Sequence, residues 1–478
     1  MTGRSELTGP ILSARIAEGL ARLGGLMRLD DPAQPVLDDG RRCIPLKSLA
    51  IQSFVAAPRA ALAGRSLLLL TKSPLSAVLA LASLDGLAAR LVIAPPDVRP
   101  EHLPVVAADA AIDAVIHDGE APALPLPAFA ITEAAEGAAE RGALATEWVM
   151  FTSGTTGAPK LAAHSLAGLT HAMAGAQPTP GETVVNETVI WATFYDIRRY
   201  GGMQMLLRAL TGGRTMLLAA PCEPVATFLR RLAEGGATHI SGTPSHWRSA
   251  LMHDAAARLA PRYVRLSGEI ADQALLDRLA AAFPGARVGH AYASTEAGVG
   301  FEVTDGLEGF PAGFLTRPGP VEMRLRDQVL HVRSPRTASR YLGAGAPPMA
   351  DAEGFVDTGD LIEPLGERLY FRGRVSGVIN VGGLKVHPEE VEAVINRCPG
   401  VRAALVKARR NPVLGAVVAA EVVLSDPAEG QGEAARAMRA AILDRCRAEL
   451  AEYKAPASVK FVDALAMTAG GKLERRHA

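Results

Sequence analysis

The segment from Thr152 to Lys160 has the residue types that a phosphate-binding loop requires. It reads TSGTTGAPK, so its glycines let backbone amides approach an anion, its hydroxyls add hydrogen-bond donors and its lysine supplies positive charge. The GK[ST] ending of a Walker loop is missing, so the segment does not belong to that class. The pattern predicts a loop that holds a polyphosphate. A polar surface turn is the alternative for a generic loop of this composition.

Further candidates for chemistry lie far along the chain from this loop. Tyr292 and Glu296 belong to the string YASTE, Asp360 belongs to DTGDL, and Lys472 belongs to GGKLER. Taken singly, three of them have an ordinary structural explanation: Tyr292 as a core tyrosine, Asp360 as a turn aspartate after Thr-Gly, and Lys472 as a solvated lysine in a tail. What they can do together depends on whether the fold gathers them.

In order along the chain, these segments resemble the motifs of the adenylate-forming superfamily. That superfamily includes acyl-CoA synthetases, aryl-CoA ligases, luciferases and the adenylation domains of peptide synthetases. TSGTTGAPK is similar to its phosphate loop, YASTE to its YGxTE motif and DTGDL to its ribose-binding motif. RGR followed by VGGLKV resembles its hinge and hairpin, and GGKLER resembles its catalytic-lysine motif. The matches span residues 152–475.

The resemblance implies an ATP site. Tyr292 would lie flat against adenine, Asp360 would accept hydrogen bonds from the ribose hydroxyls, and Arg374 would contact ribose or phosphate near the hinge. Residues 152–156 would wrap the β- and γ-phosphates. The residues implied to bind the nucleotide are Thr152, Ser153, Gly154, Thr155, Thr156, Gly157, Lys160, Gly268, Tyr292, Asp360 and Arg374.

The same resemblance implies three catalytic residues. Thr295 would touch the α-phosphate, and Glu296 would hold Mg²⁺, a hard cation that prefers carboxylate oxygen. Lys472 would bridge the substrate carboxylate and the α-phosphate, where negative charge builds in the transition state.

The implied reaction has two halves. A carboxylic acid attacks the α-phosphorus of ATP to give an acyl adenylate and pyrophosphate, and a thiol then takes the acyl group. Between the halves the small domain would rotate near Ser376 and present a hairpin containing Gly382, Gly383 and Lys385. The acceptor would be coenzyme A or the phosphopantetheine arm of an acyl or peptidyl carrier protein.

Three positions depart from the pattern of the superfamily. Leu161 follows the loop lysine where glycine is usual, Ala293 replaces a glycine in the tyrosine motif, and Ser376 stands where aspartate or lysine is common at the hinge. The first two leave the phosphate contacts plausible, and the third leaves open how the hinge behaves.

A charged string marks the segment that would line the acid pocket. The candidates are Phe194, Tyr195, Asp196, Arg198, Arg199 and Gly201. One interpretation is that an arginine pairs with a second polar or anionic group on the substrate. Alternatively, the arginines form surface or interdomain salt bridges while the aromatic residues line the pocket. The first interpretation predicts a polar-substituted acid, aromatic or short-chain, as the preferred substrate.

The amino-acid composition gives no support for two classes of function, nucleic-acid binding and membrane binding through basic residues. The chain has 478 residues with 50 basic and 50 acidic side chains, so its net charge gives no sign of nucleic-acid binding or of a polybasic membrane patch. The N-terminal stretch lacks a signal-peptide pattern, and charged residues interrupt the most apolar segment before it could span a membrane. The four cysteines lie far apart. We therefore expect a cytoplasmic protein without membrane insertion.

Periodicity predicts the elements that must position these residues. Residues 66–70 and 91–94 read as buried strands on either side of an apolar helix at 73–84, an order that favours parallel pairing. Asp272 is placed to cap a further helix. Towards the end of the sequence, Pro388 begins a helix and the last hundred residues read as a compact α+β unit.

These patterns and the resemblance together predict an α/β protein of two domains. A large N-terminal domain with parallel or mixed sheets, residues 1–373, would bind ATP and the acid. A small, mobile α+β domain, residues 374–478, would carry the catalytic lysine.

Three other functions stay open on the residues alone. The chain could be a stand-alone adenylation enzyme that loads an amino or aryl acid onto a carrier protein. It could be a phosphotransferase that releases ADP, or a binding module that senses a nucleotide or an adenylate. The presence of both Glu296 and Lys472 argues against a module without catalysis.

Overall fold

The computed structural model describes residues 11–22, 34–132, 142–152, 159–173, 188–412, 414–468 and 471–474. The helices of these residues are α1 (Leu12–Arg22), α2 (Leu46–Ile51), α3 (Arg59–Leu62), α4 (Pro74–Leu84), α5 (Leu103–Asp109), α6 (Leu166–Thr170), α7 (Tyr200–Thr211), α8 (Val225–Glu234), α9 (Pro244–Ala250), α10 (Gln273–Ala282), α11 (Pro388–Asn396) and α12 (Gly432–Glu449).

The strands of the same residues are β1 (Val36–Asp38), β2 (Cys43–Pro45), β3 (Ser66–Leu70), β4 (Arg90–Ile93), β5 (Ala114–His117), β6 (Ala128–Ala130), β7 (Glu147–Thr152), β8 (Lys160–Ser165), β9 (Ile190–Thr193), β10 (Thr215–Leu217), β11 (His239–Gly242), β12 (Tyr263–Ser267), β13 (Arg287–Ser294), β14 (Gly298–Val303), β15 (Phe310–Pro311), β16 (Glu322–Arg326), β17 (Val329–Arg333), β18 (Arg340–Tyr341), β19 (Val356–Leu365), β20 (Arg368–Arg374), β21 (Ile379–Val381), β22 (Leu384–Val386), β23 (Val401–Asn411), β24 (Gly415–Leu424) and β25 (Ser458–Phe461).

Two mixed sheets form the centre of the large domain. One has the order β14-β13-β12-β11-β9-β10-β1-β2, and the other has the order β18-β8-β7-β4-β3-β5-β6. Their inner strands pair in parallel, and antiparallel strands lie at one or both ends. Helices α4 and α7 share one hydrophobic core with residues of both sheets, so they pack between the sheets. This layered arrangement confirms the predicted α/β class.

A third sheet joins this centre to the small domain. Its order is β15-β20-β19-β17-β16, and all its pairs are antiparallel. The small domain has its own sheet, β22-β21-β24-β23 with β25 beside β24, and its own core against α11 and α12. Sequence patterns predicted the small α+β unit but not the antiparallel third sheet.

Several local predictions are confirmed with small shifts in their bounds. Residues 66–70 form β3 and pair in parallel with β4. Ser73 caps α4, because its side chain accepts from the Ser76 N–H group. Asp272 caps α10 in the same way, and Pro388 is the first residue of α11. No helix among the described residues combines the length and the apolar character that crossing a membrane requires.

A buried carboxylate ties α1 to the rest of the large domain. Asp85, which is 8% exposed, accepts the Leu12 N–H group at the start of α1 and the Trp148 Nε1–H group, each at 2.7 Å. Burial raises the pKa of Asp85 to about 6, although both hydrogen bonds act to lower it. The folded state therefore binds a proton more tightly at this site than the unfolded chain does.

The raised pKa of Asp85 predicts how stability changes with pH. Because the native pKa lies above the unfolded value, this group should make the protein less stable as pH rises from about 4 to about 6.5, by at most about 3 kcal/mol. Denaturant unfolding of the wild type and Asp85→Asn at several pH values measures the difference. Parallel pH profiles for the two proteins would show that Asp85 titrates normally.

Candidate active site

The phosphate-loop segment joins two paired strands. β7 ends at Thr152 and β8 begins at Lys160, and these two residues are antiparallel partners. The predicted contacts Ser153, Gly154, Thr155, Thr156 and Gly157 lie outside the described residues. Thr152 is buried at the end of β7, and Lys160 is exposed.

An aromatic residue that sequence analysis missed links Lys160 to Glu296. The Lys160 ammonium lies 5.3 Å from the centre of the Tyr341 ring. The Tyr341 hydroxyl donates to Glu296 Oε1 at 3.1 Å. Glu296 and Thr295 belong to the turn between β13 and β14. The predicted metal-binding residue Glu296 therefore lies near Lys160, the last residue of the phosphate-loop segment, with Tyr341 between them.

The predicted ribose residues meet on the third sheet. Asp360 on β19 and Arg374 on β20 are partners in register, and Arg374 Nε donates to Asp360 Oδ1 at 2.9 Å. The Tyr292 hydroxyl donates to Asp360 Oδ2 at 2.7 Å. The Tyr292 ring is nearly parallel to that of Phe371, with centres 5.2 Å apart. A carboxylate can accept about four hydrogen bonds, so Asp360 keeps capacity for a ligand.

Lys472 reaches this cleft from the small domain. Its Cε atom would lie 3.2 Å from a Cβ atom built on Gly268, which follows β12 with φ +88°. Loss of hydration in the cleft lowers the pKa of the Lys472 ammonium, while the carboxylates of Glu269 and Asp360 act to raise it. Lys472 and Arg374 both interact with Asp360, so the predicted catalytic lysine and the predicted ribose residues share one site.

Hydrogen bonds from the large domain hold the backbone on both sides of Lys472. Thr243 Oγ1 donates to the Gly471 carbonyl oxygen at 2.6 Å. Glu269 Oε1 accepts the Leu473 N–H group at 2.9 Å, and its other oxygen accepts the Ser245 N–H group at the start of α9, also at 2.9 Å. The lysine is thus positioned through its two neighbours.

A close approach explains why glycine precedes the lysine. Gly471 has φ +71°, and a Cβ atom built on it would lie only 1.8 Å from Nε2 of His246. His246 is fixed at this spot, since its Nδ1 accepts the Thr243 N–H group at 3.1 Å. Burial lowers the pKa of His246 to about 4, so the ring is neutral near pH 7.

Sequence analysis did not identify Thr243, His246 or Glu269 as part of this contact. Glu269 directly follows Gly268, a residue that the resemblance assigned to the nucleotide site, and this adjacency was the one local signal for it. Nothing local indicates that its partner lies 204 residues further along the chain.

The charged string of the predicted acid pocket is largely paired within the protein. Arg198 is 3% exposed, and its Nε and Nη2 donate to the two oxygens of Asp196 at 2.8 and 2.6 Å. Arg198 also donates to the Thr71 carbonyl, and Arg199 pairs with Asp97. These contacts argue against Arg198 as a substrate ligand, because its donors are already used. Both salt bridges lie within the large domain rather than between domains.

The aromatic members of that segment border the cleft. The Tyr195 hydroxyl lies 2.7 Å from the carbonyl oxygens of Gly242 and Ser267, at the ends of β11 and β12. Phe194 stacks near His246, with ring centres 5.8 Å apart. A Cβ atom on Gly201 would meet the Tyr195 ring at 3.6 Å.

The predicted hinge and hairpin are at the surface of the small domain. Ser376 is exposed in a short 3₁₀ turn after β20. Gly382 and Gly383 form the tip between β21 and β22 with φ values of +59° and +92°, as a tight hairpin turn requires. Lys385 is exposed on β22.

Curated proteins match most of this chain. The p-hydroxybenzoic acid–AMP ligase FadD22 of Mycobacterium tuberculosis (strain CDC 1551 / Oshkosh) is 30% identical over 390 residues, which cover 78% of this chain and 54% of the relative. Novobiocin biosynthesis protein H of Streptomyces niveus is 27% identical over 355 residues, covering 69% and 56%. The chain thus spans about half the length of these curated relatives.

Solved structures share the fold at low sequence identity. The anthranilate CoA ligase AuaEII in complex with anthranoyl-AMP has a TM-score of 0.74 at 18% identity and covers 95% of each chain. ATP-bound MatB from Rhodopseudomonas palustris has a TM-score of 0.73 at 20% identity, covering 96% of this chain and 97% of its own. The family description "AMP-binding enzyme" matches residues 65–341, and "AMP-binding enzyme C-terminal domain" matches residues 390–472. The chain belongs to the AMP-binding enzyme family.

Proposed function

We propose that this chain uses ATP to activate a carboxylic acid as its acyl adenylate, with release of pyrophosphate, and then transfers the acyl group to a thiol. The observation that carries the proposal is the placement of Lys472. It is held against Gly268, in the cleft that also contains Asp360 and Arg374. Membership of the AMP-binding enzyme family supports the same reaction.

In the first half-reaction, a carboxylate oxygen bonds to the α-phosphorus as the bond to pyrophosphate breaks. Negative charge grows on the α-phosphate oxygens, and the Lys472 ammonium is placed to stabilise it. A cleft with little water strengthens such an interaction, because the local dielectric is low. Asp360 and Tyr292 would hold the nucleoside, so that the phosphorus and the acid meet in a fixed geometry.

Glu296 is suited to hold Mg²⁺. Its carboxylate is a hard oxygen ligand, and while Oε1 accepts from Tyr341, the other oxygen accepts no hydrogen bond from the described residues. The ion would neutralise charge on the phosphates. Lys160 lies beside the Tyr341 ring. Its ammonium would therefore contribute positive charge to the same phosphate region.

The second half-reaction requires Lys472 to leave. We propose a joint near Arg374–Ser376 between a domain of residues 1–373 and one of residues 374–478. Rotation there would break the hydrogen bonds around Lys472 and turn the hairpin at Gly382–Gly383 towards the cleft. The thiol, from coenzyme A or a carrier protein's phosphopantetheine, would attack the acyl carbonyl carbon and displace AMP.

An aromatic acid is the proposed substrate. Relatives are named for such acids: p-hydroxybenzoic acid, anthranilate, and 3,4-dihydroxybenzoate in a carrier-protein ligase of Bacillus anthracis. Phe194 and Tyr195 border the cleft with aromatic surface that suits a flat ring, and Gly201 lies against the Tyr195 ring without a side chain. We place the enzyme in the cytoplasm, where ATP and coenzyme A are available.

An acid panel tests the proposed function. Pyrophosphate release should depend on one class of aromatic acid, and AMP should accumulate further when coenzyme A or a carrier protein with a free phosphopantetheine thiol is supplied. The two acceptors are compared separately, so the assay also identifies the thiol. Release of ADP instead of AMP and pyrophosphate would point to phosphotransfer and would contradict the proposal.

Lys472→Ala should separate the two half-reactions. We expect loss of adenylate formation by at least about 100-fold, because removal of a charge-stabilising group costs a few kcal/mol in the transition state. Thioester formation from synthetic acyl adenylate should be nearly unchanged. Quench-flow or end-point assays of each half measure this. An equal loss in both halves would assign Lys472 a structural role.

Glu269→Gln should weaken adenylation without removing the lysine. The amide can accept only one of the two N–H groups that the carboxylate now accepts, so we expect about a 10- to 100-fold loss in adenylation. Because the Glu269 charge raises the pKa of Lys472, the alkaline limb of the adenylation profile should also move to lower pH. Thioester formation should be spared.

Asn396→Ala is the matched control for Glu269→Gln. Asn396 also crosses between the domains, since its Nδ2 donates to Asp272 at 3.4 Å, but it does not touch the Lys472 loop. Asn396→Ala should leave the alkaline limb of the adenylation pH profile unchanged. A shift of the limb in Asn396→Ala, or none in Glu269→Gln, would show that general domain docking and not Glu269 controls the lysine.

Asp360→Ala should weaken binding of ATP and AMP alike by about 1.5–3 kcal/mol, as expected for lost hydrogen bonds to a charged group. The change also frees the Tyr292 hydroxyl and Arg374 Nε from their present acceptor. Calorimetry on the folded variant measures the affinities. An unchanged AMP affinity would remove Asp360 from the nucleotide site.

A further inference from the structure

Arg265 is an arginine buried inside the large domain. It is the third residue of β12 and only 5% exposed. Val264 and Leu266 pack into the core formed with α8 and α10, so Arg265 points to the opposite face of the sheet. Tyr263, on that same face, packs against the core that contains α7. The guanidinium therefore lies between the sheet and α7.

The guanidinium of Arg265 lacks the partners that a buried charge requires. Its Nε is buried without a hydrogen bond, and in the part of the chain that the structure describes no residue accepts a hydrogen bond from the group. The ion pair to Glu302 is long, with 4.0 Å between Nε and Oε2, while the other Glu302 oxygen accepts from Tyr263. Burying such a charge costs several kcal/mol unless an acceptor is supplied.

A second donor without a partner lies nearby. Tyr200, the first residue of α7, is 5% exposed, and among the described residues its hydroxyl finds no hydrogen-bond partner of normal geometry. Tyr200 lies in the core on the face of β12 to which Arg265 points, where Val299 and Arg336 are also its neighbours. On this face, Arg265 Nε and the Tyr200 hydroxyl are two donors without an acceptor of normal geometry among the described residues. An oxygen acceptor on a ligand would satisfy them.

Arg265 and Tyr200 lie further inside the large domain than Gly268, the residue beside Lys472. Arg265 precedes Gly268 by three residues, so about 10 Å of extended strand separates their Cα atoms. On the neighbouring strand, Gly289 is the register partner of Arg265, and the Glu302 carboxylate lies over it, 2.7 Å from a Cβ atom built on this glycine. Ala291, the partner of Ser267, adds only a small side chain. An acid with its carboxylate at Lys472 would point its far end towards Arg265.

We propose that Arg265 and Tyr200 recognise a hydroxyl group on the acid, at the end opposite its carboxylate. The substrate class would be a hydroxy-substituted aromatic acid. A neutral oxygen is favoured over a second carboxylate because Glu302 already offsets part of the arginine's charge. The inference rests on the proposed function and names the substrate of that same site.

Relative specificity tests this proposal. ATP–pyrophosphate exchange is measured with 4-hydroxybenzoate, with 4-methylbenzoate of the same shape, and with terephthalate. The wild type should favour the hydroxyl acid over the methyl acid by about 10- to 100-fold in kcat/KM, since a site built to bind a hydroxyl rejects the analogue without one. Arg265→Met should bring this ratio close to one.

Tyr200→Phe keeps the test decisive even where Arg265→Met folds poorly. It removes a hydroxyl that has no hydrogen-bond partner of normal geometry among the described residues, so thermal stability should be equal or higher while the hydroxyl-to-methyl ratio falls several-fold. Arg231→Met is the matched control: this arginine is half-buried and paired with Glu223 away from the cleft, and the ratio should not change.

The outcomes separate this inference from the function on which it rests. Exchange that is equal or better with 4-methylbenzoate, exchange that is best with terephthalate, or a ratio unchanged in both Arg265→Met and Tyr200→Phe would overturn the role of this pair. Exchange with none of a wide panel of acids would instead overturn the proposed function, and the role of Arg265 with it.

Discussion

The docking of one loop of the small domain on the end of β12 is the contact on which the site depends. Lys472 has no fixed place by itself, because it belongs to a short turn near the end of the sequence. Thr243 and Glu269 hold its two neighbours, and Gly268 gives its side chain room. The end of β12 thus determines where the ammonium group of Lys472 lies. This is why the proposed chemistry needs both domains.

The same contact explains how one site could serve two reactions. A few hydrogen bonds to backbone groups hold the lysine loop, and these are strong enough to position it yet few enough to break together. The hairpin at Gly382–Gly383 is exposed to solvent while the lysine is docked. Rotation of the small domain would exchange them. The hydrogen bonds from Glu269 and Thr243 would then set the balance between the states.

The two buried arginines Arg198 and Arg265 of the large domain differ in how well their charges are paired. Arg198 is buried but fully paired with Asp196, which identifies it as part of the scaffold. Arg265 is as deeply buried, but its ion pair to Glu302 is long, at 4.0 Å, and its Nε has no hydrogen-bond partner among the described residues. A fold tolerates an unsatisfied buried charge only where something else compensates for it. The contrast between these two arginines, rather than the presence of arginine as such, points to the substrate.

The sequence by itself determined the class of fold, the order of the elements around the motifs and the family, because glycine-rich strings and hydrophobic periodicity are local signals. It identified Lys472, Asp360, Tyr292 and Glu296 as candidates, and the fold gathers Lys472, Asp360 and Tyr292 with Arg374 in one cleft. It named Arg198 and Arg199 as possible substrate ligands but could not show their partners: whether a charge finds a partner depends on residues such as Thr71 and Asp97, more than a hundred positions away. Only the tertiary structure could show Glu269 beside Leu473, or Arg265 with no more than a long ion pair to Glu302, because both facts are distances between strands and loops that no local pattern encodes.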